Sequence, residues 1–237
     1  MALSATHHLD PQPSDPADHR SELARRLCTV MGDIHRRGWC DGTGGNFSCV
    51  LPTKPITLLM APSGVDKGRV KPADLIEVDQ LGQVKSGSGR ASAETLLHLA
   101  IVGHANAGAV LHTHSQAGTL LSAIEMQAAA SAGATVGGLQ LADREMLKGL
   151  DGISTHATAV TIPVLANDQD LEQLSELAIP VLPQAPHGLL IAGHGLYAWG
   201  KDLGMAQRHL EILEFLLEQR WRLLLLERLD RLASHHP

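Results

Sequence analysis

The stretch Gly108-Ala109-Val110-Leu111-His112-Thr113-His114-Ser115 holds the side chains best suited to chemistry. Ala109 to Leu111 is a short apolar run of the kind that makes a buried strand, entered from Gly108. Side chains alternate along a strand, so His112 and His114 leave it on one face, about 7 Å apart at their Cα atoms. Two imidazoles so placed can converge on one ion at about 2.1 Å from each nitrogen. His194, between Gly193 and Gly195 at the end of another apolar run, is the candidate third ligand. Three histidines with an open fourth position are the donor set of catalytic zinc. An isolated His-x-His can equally be a hydrogen-bonding pair at a strand end, and His156 and His187, both in expected loops, stay open as alternatives to His194.

Three turns could cradle an anion: Thr43 to Ser48, which contains Asn46, the pair Ser63-Gly64, and Ser92-Ala93 at a helix start. Short hydroxyls and bare amides at such places are what a phosphate needs, although each turn alone is also an ordinary turn. Two carboxylates could move protons. Glu94 lies in the first turn of its helix, where the macrodipole favours a negative charge in any case. Glu145, in Arg144-Glu145-Met146-Leu147-Lys148-Gly149, reads on pattern alone as a surface acid paired with Lys148.

Positioning these residues falls to alternating helices and strands. Leu23, Leu27, Val30 and Ile34 step at helical spacing from about Asp18 until Gly38 stops them. Phe47–Leu51 and Ile56–Met60 read as strands, and Leu75–Val78 with Gln83–Lys85 as a hairpin around Asp79-Gln80-Leu81-Gly82. Ser92 is the expected N-cap of a helix carrying Leu97, Ala100, Ile101 and His104. Another helix starts near Ser115, and the Ala- and Gly-rich stretch 127–138 reads as a loop or weak helix. Asp143–Leu150 suits a short helix, Val160–Leu165 a strand, and Asp168 to about Leu177 a further helix. Leu189–Ala192 and Leu196–Trp199 are the last expected strands, and Asp202–Leu232 the last helix. The second half of that helix is apolar on more than one face, which points to a subunit contact. His98, His104 and His209 fall within helical stretches and read as structural, while His7, His8, His235 and His236 read as solvated.

The pattern predicts one α/β domain over residues 18–232, with a disordered leader at 1–17 and a short tail at 233–237. A net charge of -6 gives no footprint for nucleic acid. Cys28, Cys40 and Cys49 form no disulfide framework, which fits a reducing compartment. No apolar secretory segment leads the chain, and the longest late aliphatic run, Leu223 to Leu226, is far too short to span a bilayer. A cytoplasmic protein that touches neither nucleic acid nor membrane is expected.

Taken in order, Gly45-Asn46-Phe47-Ser48, Pro62-Ser63-Gly64, Ser92-Ala93-Glu94, His112-Thr113-His114 and Gly193-His194-Gly195 resemble the class II aldolase/adducin family. The resemblance runs from about residue 20 to 225. It implies a three-layer α/β/α fold with a central, largely antiparallel sheet, assembled as a homotetramer with active sites at subunit interfaces. It assigns one zinc ion per subunit to His112, His114 and His194, and a substrate phosphate to Asn46, Ser63, Gly64 and Ser92. Within the family, Pro62 to Arg69, Glu145 to Gly149, Asn167 to Asp170 and Gly195 to Gly200 are most similar to the dehydratase branch of methionine salvage. The implied activity is dehydration of 5-methylthioribulose 1-phosphate to 2,3-diketo-5-methylthiopentyl 1-phosphate. Aldolases of the family use the glutamate matching Glu94 as acid/base, and the dehydratase branch uses the one matching Glu145, the assignment favoured here. Ala93 and Gly44 stand where many sugar-phosphate aldolases carry serines, which weakens an aldolase reading. Class II aldol cleavage, pentulose-phosphate epimerisation and a non-catalytic, adducin-like interaction module are the alternatives.

Overall fold

The computed structural model describes residues 16–234; the four terminal histidines and most of the expected leader lie outside them. Nine strands among the described residues form one sheet: β1 (Asn46–Val50), β2 (Thr57–Met60), β3 (Ile76–Asp79), β4 (Val84–Ser86), β5 (Ala109–Thr113), β6 (Val136–Ala142), β7 (Ala159–Leu165), β8 (Gly188–Ile191) and β9 (Gly195–Gly200). Their spatial order is β4-β3-β2-β1-β5-β9-β8-β7-β6, and β7 with β8 is the one parallel pair. The sheet is therefore largely antiparallel, as the family resemblance implies.

The central strands are buried on both faces, and each face carries a helical layer. On one side α1 (Pro16–Arg36), α3 (Gln116–Ser131) and α5 (Leu203–Ser234) bring Leu27, Leu121 and Leu213 against Phe47, Leu111 and Ala198. On the other, α2 (Thr95–Ala105) and α4 (Leu171–Ala178) bring Leu97 and Leu174 against Val110, Leu189 and Tyr197. Each such side chain contributes roughly 1.5–3 kcal/mol by leaving water. Strand β5 lies mid-sheet between β1 and β9, so its two faces feed different cores. Ala109 and Leu111 point to the α1/α3/α5 side, and Val110 to the α2/α4 side. Asn46, His112 and Tyr197 are register partners across β1, β5 and β9 and stand in one row.

Two expectations need correction. The stretch 127–138 is neither a loop nor a weak helix throughout: α3 runs to Ser131 and β6 begins at Val136. Alanines 128–130 are strong helix formers, and Gly133 at φ +78° turns the chain into the strand. Gly137 and Gly138 hide that strand's alternation, and Gly138 lies where a Cβ would come 2.8 Å from Thr161. Ser92 does not directly cap α2, which starts at Thr95. Its hydroxyl instead accepts the Glu94 N–H at 3.3 Å and its carbonyl accepts the Thr95 N–H at 3.1 Å, forming a turn ahead of the helix. No helix among the described residues is long and apolar enough to cross a membrane.

Candidate metal centre and active site

His112 is fully buried and its ring lies 3.9 Å from that of Tyr197, nearly parallel to it at 13°. Its Nδ1–H donates to the Leu196 carbonyl at 3.0 Å, which leaves the Nε2 lone pair facing the site. His114 follows the end of β5, where its backbone N–H donates to the Trp39 carbonyl at 2.7 Å. His194 sits in the turn between β8 and β9. Gly195 makes that turn feasible, since a Cβ there would sit 1.9 Å from the Thr113 carbonyl oxygen. His112 Nε2 is 2.8 Å from His114 Nε2 and 3.4 Å from His194 Nε2. Glu94, just before α2, reaches in from the α2 side: its Oε1 is 3.0 Å from His194 Nε2 and 3.8 Å from His112 Nε2. The Asn46 side chain donates to the same carboxylate.

Burial pushes the His112 imidazole far below its ordinary range and lowers His114 as well. Both rings are therefore neutral, the form a metal requires. Burial would raise the Glu94 carboxyl, but the hydrogen bond from His194 and the neighbouring imidazoles outweigh it, and it titrates at about 2. Three imidazole nitrogens and one carboxylate oxygen within 4.8 Å of one another form a set that could hold a metal ion. Thiolates are absent from the set, so a divalent ion would keep its Lewis acidity.

A cavity of about 460 Å³ opens against this centre. Asn46, Ser63, Gly64 and Ser92 line it together with Glu94, His114 and His194. The sequence-separated turns and the histidines are thus parts of one wall. Gly45, at φ +76°, lets the first turn approach: a Cβ there would lie 2.8 Å from the His112 carbonyl oxygen.

Glu145 is elsewhere. It opens the 3₁₀ turn Glu145–Gly149, is fully exposed, and faces a different cavity of about 950 Å³. Lys148 donates to its carboxylate and holds it below the usual carboxylate range, with His156 Nδ1 3.8 Å away. Of the alternative third ligands, His156 therefore belongs to Glu145. His187 joins His209 and Asp151 in a second cluster, its ring 4.1 Å from that of His209. Both His209 nitrogens are engaged, by the Trp199 carbonyl at 2.7 Å and by the Asp151 N–H at 3.3 Å. Arg208 donates to the Gly149 carbonyl at 2.9 Å, so α5 holds the C-terminal end of the turn that Glu145 opens, at Gly149 and Asp151.

Three further residues escaped the reading of the sequence. Tyr197, the chain's only tyrosine, backs His112, and Lys67 lines the cavity from a fully buried position. Glu214 of α5 lies behind the histidine strand and accepts the hydroxyls of Thr113 and Ser115, the residues on either side of His114. The usable signals were a lone Tyr after Gly-His-Gly-Leu and a lone acid within an apolar helix face.

The family model for the class II aldolase and adducin N-terminal domain matches residues 25–221, most of the chain. The chain belongs to the class II aldolase and adducin family. A methylthioribulose-1-phosphate dehydratase of Gluconobacter oxydans is 43% identical over 194 residues, covering 81% of this chain and 88% of that protein. The enzyme of the same name from Methylococcus capsulatus is 43% identical over 212 residues, covering 86% and 97%. Among solved structures, the L-fuculose-1-phosphate aldolase of Thermus thermophilus superposes with a TM-score of 0.64 at 28% identity, covering 90% of this chain and 98% of its own. YgbL of Escherichia coli shares the class II aldolase fold with a TM-score of 0.70 over 85% and 89% of the two chains.

Proposed function

We propose that the protein is a metal-dependent hydro-lyase that dehydrates 5-methylthioribulose 1-phosphate to 2,3-diketo-5-methylthiopentyl 1-phosphate in the cytoplasm, as a step of methionine salvage. The observation that carries this is the shared wall: three imidazoles and Glu94 adjoin the Asn46, Ser63-Gly64 and Ser92 turns in one cavity. The names of the relatives at 43% identity favour this reading over other reactions of the family. Residues 18–232 act as the one catalytic domain.

His112, His114 and His194 hold zinc, which when bound polarises the C2 carbonyl and offsets the negative charge that develops on it. The amides and hydroxyls at Asn46, Ser63, Gly64 and Ser92 hold the C1 phosphate and so fix which carbons face the histidines. Glu145 takes the C3 proton and returns a proton to the departing C4 hydroxyl; the resulting enol becomes the 2,3-diketone. Glu94 orients His194 and accepts from Asn46, tying the metal centre to the phosphate turn.

Glu145 cannot do this from where its own subunit places it. It serves the cavity of a neighbour, so the working unit is a homotetramer with Glu145 of the partner subunit closing each site. Leu225, Leu226, Leu229 and Leu232 on the exposed end of α5 supply apolar surface for such an assembly.

One observation favours a second reading. Glu94 is inside the cavity and Glu145 is not, which is the arrangement aldol cleavage by Glu94 would need. Incubating zinc-loaded protein with 5-methylthioribulose 1-phosphate separates the two. The diketone phosphate is expected; dihydroxyacetone phosphate, from cleavage between C3 and C4, would establish the aldolase instead.

A further inference from the structure

We propose that Lys67 is the fixed cation of the phosphate site, set between its two turns to neutralise the charge of the substrate's phosphate. The inference rests on the phosphate reading above and adds to it a buried cationic side chain that is locked in place.

Lys67 is 1% exposed, which is rare for lysine because burying an ammonium is costly unless it is paired. Its Nζ donates to the Thr43 carbonyl and to the Val65 carbonyl, each at 3.0 Å. Those two carbonyls belong to the two turns that line the cavity: Thr43 precedes Asn46, and Val65 follows Ser63-Gly64. An ammonium has three protons, so one remains beyond these two bonds.

No carboxylate among the described residues forms an ion pair with it. Asp66 is next in sequence, yet its carboxylate accepts the Gly68 N–H and pairs with Arg69 at 3.3 Å. Glu94 is taken by His194 and Asn46. Cys40 does not neutralise it either, since burial pushes that thiol up to about 11. Lys67 thus has carbonyl oxygens as its direct hydrogen-bond partners, with the Glu94 and Asp66 carboxylates acting on it only from beyond contact, on the wall of the cavity that holds the anion turns. Arg90 also lines this cavity but is exposed, and its side chain must be ordered before it can bind. A strut between two turns needs no charge. A site for a dianion does, and a charge held rigidly in a poorly solvated wall acts without reorganisation.

The test measures binding of inorganic phosphate to zinc-loaded wild type, Lys67→Met and Lys67→Gln by calorimetry, with melting temperatures and metal content alongside. Glutamine keeps an N–H for one carbonyl, which separates the strut from the charge. Both variants should retain zinc and weaken phosphate about 10- to 100-fold, the worth of one charge-assisted hydrogen bond. Without phosphate, Lys67→Met should melt no lower than wild type, because it removes a buried unpaired charge. With substrate, the loss should fall on KM more than on kcat. Phosphate binding unchanged in either variant would overturn the proposal and leave the phosphate cradle standing. Phosphate binding to none of the three proteins would overturn the cradle and the proposal together.

Discussion

The histidine centre and the Glu145 turn are built in opposite ways. Strands β5 and β9 and the start of α2 deliver His112, His114, His194 and Glu94 into a cluster with His112 fully buried and the others half-buried, and burial itself makes His112 and His114 neutral. Glu145 itself is exposed, on a turn anchored by buried Leu147, and is held below the usual carboxylate range by Lys148. A general acid working near neutral pH needs the opposite shift, which desolvation supplies. On the proposed reading, the metal centre is a property of one chain, whereas the acid/base is tuned only when another surface covers it.

The largest effect is expected at the centre. His114→Ala should lose bound metal and essentially all dehydration, with the rest of the fold intact. Full zinc occupancy in that variant, by elemental analysis, would remove His114 from the ligand set.

Next comes Glu145→Gln. Its kcat should fall about 10²- to 10⁴-fold while zinc content and melting temperature stay at wild-type values. Glu94→Gln should then cost less in kcat than Glu145→Gln. The reverse order would move the acid/base to Glu94 and favour aldol chemistry.

Smaller effects belong to the phosphate turns. Ser92→Ala and Ser63→Ala should each raise KM about tenfold or more, from the loss of one hydrogen bond to a charged group. Unchanged KM in both would place the phosphate elsewhere.

The contrast between buried and exposed also explains what could be read from the sequence. His112 and His114 were legible because a strand's period of two forces them onto one face, and His194 because glycines flank it. The turns at Asn46, Ser63-Gly64 and Ser92 that line the cavity were legible as short polar residues at breaks between elements. Val136–Ala142 was not, because Gly137 and Gly138 carry no side chain to report the buried face of β6. Lys67 was not, because burial of a single charge has no periodic signature and only the packing of distant turns removes it from water, while Glu214 left only the faint mark of an acid on the apolar face of α5. The place of Glu145 was legible, as a surface acid paired with Lys148, but the local sequence carries no signal for whether a second surface covers it.

Glu214 gives the smallest effect, through pH. Burial pushes its carboxyl up from 4.5 to about 7, against the pull of the Ser115 and Thr113 hydroxyls. Between those two pH values the folded protein holds a proton that the unfolded chain has released, so this group's contribution to stability falls as pH rises. Glu214→Gln mimics the protonated acid. Its melting temperature relative to wild type should therefore climb by several degrees from pH 4.5 to 7 and level off above. A flat difference over that range would show that Glu214 titrates normally.

The most direct test of the division between chain and assembly is subunit complementation. His114→Ala subunits have an intact Glu145 but no metal centre; Glu145→Gln subunits have the centre but no acid/base. Co-expressed at equal levels and purified as mixed oligomers, they should recover about a quarter of wild-type kcat, since random pairing joins an intact centre to a neighbour's intact Glu145 at that frequency. Activity no higher than that of the two variants measured separately would place Glu145 in the site of its own chain and contradict the proposal.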